Sequence, residues 1–163
     1  MKITKPAAFG ALLEDHYRRV GERSMRDLPI YNDALSVEAV GFALHGEAIA
    51  GILITPWFMN VVLQPLDDRL ASQPPGLSFA HVFPVGTLDF TVADIDAVGR
   101  IGTCSLFSPM FDFGDMDTAR ATASAALAEI VSPQVDQAAA NRRPASAVDR
   151  RSLLRGSLTG ARP

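Results

Sequence analysis

The sequence contains little of what the common catalytic and metal-binding motifs require. Among 163 residues there are one cysteine, one tryptophan and three histidines. The single Cys104 excludes a disulfide within the chain, which fits a reducing compartment. His16, His45 and His81 are scattered, without the paired spacing of a zinc site. A glycine-rich phosphate loop and a Gly-x-Ser-x-Gly elbow are also absent, so the sequence predicts no metal, no cofactor and no catalytic residue.

Long apolar runs are missing as well. No stretch approaches the roughly 18 uninterrupted apolar residues of a membrane helix, so no membrane span is expected. The N-terminal segment MKITKPAAFGALLEDHYRR reaches its charges without the apolar core of a secretory signal. We therefore expect a cytoplasmic protein, with one domain and a substantial core.

The net charge of −3 conceals an asymmetry along the chain. Residues 1–140 carry 9 Lys and Arg against 17 Asp and Glu, whereas residues 141–163 carry 6 Arg against 1 Asp. An acidic body argues against nucleic-acid binding, which needs a basic face. It suits a basic partner segment, attracted through long-range electrostatics.

The order of predicted elements is a helix, a run of strands and a second helix. Helical spacing of apolar residues predicts the first helix over about residues 6–25. VEAVGFALHGEAIAGILIT predicts a hairpin around Gly46, and NVVLQP, GTLDFTV and GRIGTCSLFSP predict three further strands. DDRLASQPPG, with its adjacent prolines, is typical of a loop.

A second helix is predicted to start at Asp115 or Asp117, either of which suits a helix N-cap, and to end before Pro133. Residues 134–163 have the Gln-, Ala-, Ser-, Arg- and Pro-rich composition of a tail. The fold class is therefore α+β: a single domain over residues 1–133, with a mainly antiparallel sheet of about five strands covered by two helices. A basic, flexible or extended tail is expected over residues 134–163.

Three further groups were candidates for chemistry. DIDAVG imitates the opening of a calcium loop, but Val98 and Ser105 stand where ligands are needed, and a solvated turn is favoured. The carboxylates of Asp89, Asp94 and Asp96 suit acid/base chemistry only in a dry pocket. Cys104 is either a small buried apolar residue or a redox or partner-contacting thiol, and the sequence leaves both open.

The segment ITPWFMNVVLQP, residues 54–65, concentrates the largest apolar side chains between two prolines. Successive strand residues point to opposite faces, so Trp57, Phe58 and Met59 are not expected to enter one core together. Exposed clusters of Trp, Phe and Met mark partner sites. We expect Trp57 to be partly exposed beside acidic residues, and Trp57→Ala to weaken partner binding more than the fold.

Four stretches stand out together: SMRDLPIYN, ITPWFMNVVLQP, FPVGTLDFTVADIDAVG with GTCSLFSPM, and RRSLLRG. Their order and spacing resemble the HybE/HupJ family of assembly chaperones for nickel–iron hydrogenases. The resemblance runs from about Phe9 to Gly156. Some family members carry a fused rubredoxin domain, whose paired cysteines this chain lacks, so a stand-alone form is expected.

The resemblance implies a cytoplasmic, non-enzymatic accessory protein. Such proteins hold hydrogenase precursor subunits, large or small, while metal centres are inserted and before twin-arginine export. A twin-arginine signal peptide, basic and then apolar, is one candidate for the bound part, and other maturation factors are further candidate partners. The expected partner-binding residues are Pro56, Trp57, Phe58, Met59, Arg150 and Arg151, with Cys104 as a possible redox or partner contact.

The tail segment DRRSLLRG itself resembles a twin-arginine sequence. One hypothesis is that it folds back onto the acidic body and competes with the client; a packed helical turn or a solvated tail is the alternative. Two other functions stay open from the sequence. One is a redox or metal-handling accessory acting through Cys104, and the other is a small-molecule-binding enzyme with a pocket under the sheet.

Overall fold

The computed structural model describes residues 5–96 and 98–132. A helix, α1, spans Pro6–Val20 and continues as a π-helical turn over Gly21–Met25, which confirms the helix predicted over residues 6–25. Six strands and a second helix follow: β1 (Glu38–His45), β2 (Ala48–Ile54), β3 (Met59–Pro65), β4 (Ser78–Phe83), β5 (Gly86–Ile95), β6 (Gly99–Phe107) and α2 (Met116–Val131).

All six strands form one antiparallel sheet in the order β1-β2-β3-β6-β5-β4. Two three-stranded meanders are therefore joined side by side through β3 and β6. The predicted α+β class, with a helix from each end of the domain, is confirmed. The strand missing from the sequence prediction is β4, because its outward positions include Ala80 and Val82 and so lack a polar–apolar alternation.

The two helices pack on opposite faces of the sheet. Phe9 and Leu13 of α1 are fully buried against Ile49 and Leu53 of β2. On the other face, a row of mostly small side chains on α2 packs over a larger core. The buried α2 residues are Ala119, Ala123, Ala126, Leu127 and Ile130.

Beta-strand 1 carries a bulge where it passes over its neighbour. The register shifts between Val40 and Ala43, so Gly41 and Phe42 together oppose Gly51. Gly41 has a φ of +65°, and a Cβ built there would lie 2.4 Å from Leu127 Cδ2. Glycine at this position therefore permits both the bulge and the close approach of α2.

Helix α2 is fixed at both ends. Asp115 caps it by accepting a hydrogen bond from Thr118 N at 2.7 Å, as predicted. Near its other end the carbonyl of Ile130 accepts from Val85 N at 3.4 Å, in the turn between β4 and β5. Leu127 thus lies against β1, and Ile130 lies beside the β4–β5 turn.

On the sheet face that carries α1, no element among residues 5–96 and 98–132 covers β4 and the adjoining parts of β5 and β6. We name this region the open face, and its side chains are small or polar. It is formed by Ser78, Ala80, Val82, Asp89, Thr91, Thr103 and Ser105, of which Thr103 is half-buried and the others are exposed.

The predicted tail and its Arg150 and Arg151 lie outside the described residues, as does the proposed boundary at residue 133. Within residues 5–96 and 98–132, no helix has the length and apolar character that a membrane crossing requires.

Candidate functional site

The turn between β2 and β3 is built by Thr55, which is fully buried. Its Oγ1 accepts from Trp57 N at 3.2 Å and from Phe58 N at 2.9 Å. Its backbone N–H donates to Phe58 O at 2.8 Å, closing the turn around Pro56 and Trp57. The first half of ITPWFMNVVLQP is thus a hairpin turn and the second half is β3, which ends at Pro65.

Trp57 is buried, with 7% of its surface exposed. The prediction that it is partly exposed is therefore wrong. Its indole stacks on Tyr31, with ring centroids 6.0 Å apart, and contacts the rings of Tyr17 and Phe58. A Cβ added at Gly21 would lie 3.3 Å from the indole, so the end of α1 approaches Trp57 closely because Gly21 has no side chain. We name these four rings (Tyr17, Tyr31, Trp57 and Phe58) the aromatic cluster.

The neighbours of Trp57 separate as strand geometry requires. Met59 is fully buried in the core under α2, whereas Phe58 is half-buried on the α1 face and contacts Tyr17 edge-on at 5.4 Å. This confirms that the three consecutive side chains do not share one core. Pro56 is buried in the turn. Phe58 is therefore the member of the predicted set, among the described residues, that retains surface for a partner.

Asn32 ties the turn of Trp57 to the loop between β6 and α2. Its N–H donates to Pro56 O at 2.9 Å, and its Nδ2 donates to Met110 O and to Phe113 O, each at 2.9 Å. Its Oδ1 accepts from Ala34 N at 3.0 Å. In the sequence, Asn32 is only the last residue of the segment SMRDLPIYN. An Asn in a loop can hydrogen-bond with several backbone groups at once. This property is the signal that could have identified Asn32 from the sequence.

The loops joined by Asn32 expose large apolar side chains around the aromatic cluster. Leu28 is 44% exposed, Ile30 39% and Phe111 57%. These three residues, with the half-buried Phe58, form what we name the apolar rim. Exposed Asp27 and Asp112 are next to Leu28 and Phe111 in the chain. The arrangement therefore places apolar and acidic groups together on exposed loops.

Titratable groups beside the cluster favour their uncharged forms. Burial raises the pKa of Tyr17. Burial, followed by the Arg19 guanidinium, lowers the pKa of the neighbouring His16. Burial thus favours the uncharged forms of Tyr17 and His16, which suits contact with an apolar segment.

Cys104 lies on β6 in the core under α2 and is 4% exposed. It is paired in register with Val61 of β3, at the centre of the sheet. A reactive thiol needs access as well as a cationic neighbour. The position therefore favours the structural interpretation of Cys104 over a redox or partner-contacting one.

The remaining candidates for chemistry do not converge. Asp89 is exposed on β5, and Asp94 forms an ion pair with Arg100 at 2.7 Å. Over residues 5–96 and 98–132, no three His, Cys, Asp or Glu side chains form a group suited to a metal ion. A cavity of about 220 Å³ is lined by Gln64, Leu70 and Arg100, among others.

Among the described residues that line this cavity, the one carboxylate is Asp67, which is half exposed and pairs with Arg69 at 2.8 Å. A general acid or base would need a dry setting, which a half-exposed carboxylate does not have. Neither the cavity nor the exposed carboxylates thus supplies a site for acid/base catalysis.

Comparison with known proteins connects this architecture to hydrogenase assembly. The profile of a family described as "[NiFe]-hydrogenase assembly, chaperone, HybE" matches residues 8–156. The chain is 54% identical over 157 residues to the hydrogenase expression/formation protein HupJ of Bradyrhizobium diazoefficiens, covering 95% of this chain and 92% of HupJ. It is 32% identical over 105 residues to the hydrogenase-2 operon protein HybE of Escherichia coli (strain K12), covering 61% and 62% of the two chains.

The fold also has a solved counterpart. The solution structure of HybE from Escherichia coli superposes with a TM-score of 0.64 over 86% of each chain, at 24% sequence identity. This similarity supports the six-stranded sheet with a helix on each face.

Proposed function

Because this chain belongs to the HybE family of nickel–iron hydrogenase assembly chaperones, we propose that it binds precursor subunits of an uptake nickel–iron hydrogenase. Binding holds a precursor during metal insertion and assembly, before twin-arginine export. The protein acts in the cytoplasm and catalyses no reaction of its own.

The apolar rim is the observation that carries this proposal. Three of its four large apolar side chains are more than a third exposed, and Asn32 connects the loops that carry them to the turn of Trp57. Isolated exposed apolar residues are ordinary, but a group on loops tied together by Asn32 is typical of a protein-binding surface. An incompletely folded precursor presents apolar segments that such a surface can cover.

Charge supports a client with a basic segment. Residues 1–140 carry 17 Asp and Glu against 9 Lys and Arg. A twin-arginine signal peptide is basic at its start and apolar after it, and so it complements acidic and apolar groups on one face. The electrostatic part of this attraction acts mainly on the rate of association and falls with salt.

The predicted partner-binding residues take three different roles in this proposal. Phe58 contacts the client directly, whereas Pro56, Trp57 and Met59 hold the turn and the rings beneath the apolar rim. Arg150 and Arg151 engage the client or compete with it. If they compete, truncation after Asn141 raises client affinity; an unchanged or lower affinity contradicts competition.

Co-purification tests the proposal. The tagged chain is expressed in cells that produce the hydrogenase, and bound proteins are identified by mass spectrometry. A hydrogenase precursor subunit is expected among them. Recovery of neither a hydrogenase subunit nor a maturation factor would overturn the proposal.

A matched pair of surface variants tests the apolar rim. Phe111→Ser removes a side chain that is 57% exposed in the rim, and Leu44→Ser removes one that is 55% exposed on β1. Precursor recovery is expected to fall about tenfold for Phe111→Ser, the effect of a strong contact residue, and to stay unchanged for Leu44→Ser. Equal recovery for the two variants would exclude the rim as the binding surface.

The alternative based on Cys104 has its own test. Cys104→Ser is expected to leave hydrogenase maturation intact once corrected for the amount of folded protein. A complete loss of maturation, with the variant folded, would favour the redox or metal-handling function instead.

A further inference from the structure

Strand β4 is one edge of the sheet. It pairs with β5 on one side, and no described element pairs with it on the other. Leu77 O accepts from Val92 N at 2.9 Å, and Phe83 pairs with Gly86 to close a two-residue hairpin. Because bonded pairs alternate along an antiparallel ladder, the N–H and C=O groups of Ser78, Ala80 and Val82 point away from β5.

The opposite edge of the sheet is protected, whereas no described residue protects β4 in a similar way. Beta-strand 1 carries the Gly41 bulge, and the Glu14 carboxylate accepts a hydrogen bond from Ala39 N at 2.8 Å. The six residues of β4, SFAHVF, include no Lys, Asp, Glu, Arg or Pro and no bulge. Proteins normally block such an edge with charge, proline or a bulge, because an open edge recruits another strand.

The side chains along β4 indicate what kind of strand fits there. Val82 is 74% exposed and Leu77 40%, so apolar contacts are available at both ends of the edge. Asp89 lies opposite the small Ala80 on the open face, and no ion pair among the described residues includes it. A strand added beside β4 would lie about 10 Å from β5, two strand spacings, within reach of a long basic side chain extending over Ala80.

We propose that β4 is a docking edge, on which an extended, positively charged segment of a client adds as a seventh, antiparallel strand. The backbone of the segment pairs with Ser78, Ala80 and Val82. An apolar side chain packs beside Val82, and an Arg or Lys pairs with Asp89. This inference rests on the proposed function, since it identifies the conformation in which a precursor segment is held.

The test removes one outward N–H and keeps the rest of the sheet. Ala80→Pro deletes a donor that β5 does not use, and proline is tolerated at such edge positions. Ala80→Ser is the matched control, small and with its N–H intact. Each variant is mixed with the purified precursor subunits and with fifteen-residue peptides that tile their sequences, and affinities are measured by fluorescence anisotropy at two salt concentrations.

Binding is expected to weaken at least tenfold in Ala80→Pro and less than twofold in Ala80→Ser. Asp89→Asn should weaken binding of the basic peptides and reduce its salt dependence. If the precursor binds all three chains as tightly as the wild type, the docking edge is wrong while the proposed function stands. If no precursor binds the wild type, both are wrong.

A second variant covers the case in which Ala80→Pro does not fold. Val82→Lys places a charge on a side chain that is already exposed, which blocks an edge without disturbing the core. It should also reduce peptide binding at least tenfold, and unchanged binding would overturn the proposal.

Other occupants of the edge give distinct results. A wild-type dimer that becomes monomeric in Ala80→Pro, measured by light scattering, would assign the edge to a second copy and overturn the proposal. Hydrogen exchange of the backbone amides tests whether the C-terminal residues cover the edge. If the Val82 N–H is protected in the isolated chain and exposed after truncation at Ser132, the C-terminal residues cover the edge and the proposal is again overturned.

Discussion

Backbone geometry and apolar contact together hold the single tryptophan. Thr55 Oγ1 fixes the turn in which Trp57 lies, and Gly21 leaves room for its indole against the end of α1. Three separate segments therefore hold the side chain in one position: the β2–β3 turn, the end of α1 and the loop of Tyr31. Substitutions at Trp57 report on the stability of the whole turn, and through it on the apolar rim.

Trp57→Ala is expected to lower the free energy of unfolding by about 3–5 kcal/mol, because a large buried side chain is lost and a cavity remains. Urea unfolding followed by far-UV circular dichroism measures this without tryptophan fluorescence. Trp57→Phe is the control and should cost less, since a ring still fills most of the space. A loss below about 1 kcal/mol for the alanine variant would contradict the burial of Trp57.

Cys104 should resist thiol reagents in the folded protein. With 4% of its surface exposed at the centre of the sheet, the thiol becomes accessible only when the sheet opens. We expect labelling by a disulfide reagent to be slow in buffer and complete in denaturant. Rapid labelling in buffer would show a reactive thiol and revive the redox interpretation.

At the scale of single elements, the bulge in β1 depends on the fit between Gly41 and α2. Gly46, in the β1–β2 turn, also has a positive φ, of +62°, but a Cβ there meets nothing within 4 Å. Substitutions at these two glycines therefore distinguish the stability cost of a left-handed backbone conformation from the stability cost of steric crowding.

Gly46→Ala is expected to cost about 1–2 kcal/mol, the penalty of a left-handed conformation for a residue with a Cβ. Gly41→Ala carries the same penalty and crowds Leu127, so it should cost about 1–3 kcal/mol more. Thermal unfolding of both variants measures the difference. Equal losses would show that α2 does not press on the bulge.

The start of α2 should give the fold an acid sensitivity. The bond from Thr118 N holds the pKa of Asp115 below its usual range, so this group stabilises the folded state above the unfolded pKa. That stabilisation is lost as the pH falls through the lowered folded pKa. Between about pH 5 and pH 3, Asp115→Asn should lose less stability than the wild type, because Asn caps the helix without titrating.

Parallel denaturant titrations at several pH values measure this acid sensitivity. Glu38, whose pKa is lowered chiefly by its hydrogen bond from Arg120, contributes in the same direction in both proteins. If the wild type and the Asp115→Asn variant lose the same stability, the carboxylate cap does not couple to folding.

Local sequence patterns predicted the helices and the strands other than β4. Helical spacing around Phe9 and Leu13 predicted α1, and strict alternation from Thr87 to Val92 predicted β5. The pattern did not predict β4, because Ala80 and Val82 on an exposed face resemble neither a buried strand nor a half-buried one. A strand edge that stays free for pairing also exposes small and apolar residues. The residues that hid β4 from the sequence pattern are therefore the ones that suit the proposed docking edge.

At the scale of the whole molecule, sequence patterns identified segments of the candidate site but not the contacts between them. The sequence drew attention to residues 54–65 and to SMRDLPIYN, and the structure brings these two segments together. The direction of Trp57 could not be read from the pattern, because its burial depends on Gly21 and Tyr31. Likewise, the bond from Asn32 to Met110 joins residues 78 positions apart, a distance over which sequence spacing carries no information.

The described residues include both hydrophobic cores, which predicts that the fold does not need the C-terminal segment. A chain ending at Ser132 should retain its far-UV spectrum, with a thermal midpoint within about 3 °C of the full-length protein. Calorimetry of the two chains decides the matter. A shift of about 10 °C or more would mean that residues 133–163 belong to the folded unit and would move the predicted boundary at residue 133.

The seam between β3 and β6 has a consequence for how this chain folds. Each meander pairs strands that are neighbours in sequence, but the seam has to close a loop of roughly forty residues, at a larger cost in chain entropy. We expect the meanders to form first and the seam to limit the folding rate. During synthesis β3, with Val61, Val62 and Leu63 in a row, waits as an unpaired edge until β6 emerges. Until the seam closes, the nascent chain thus carries an aggregation-prone edge.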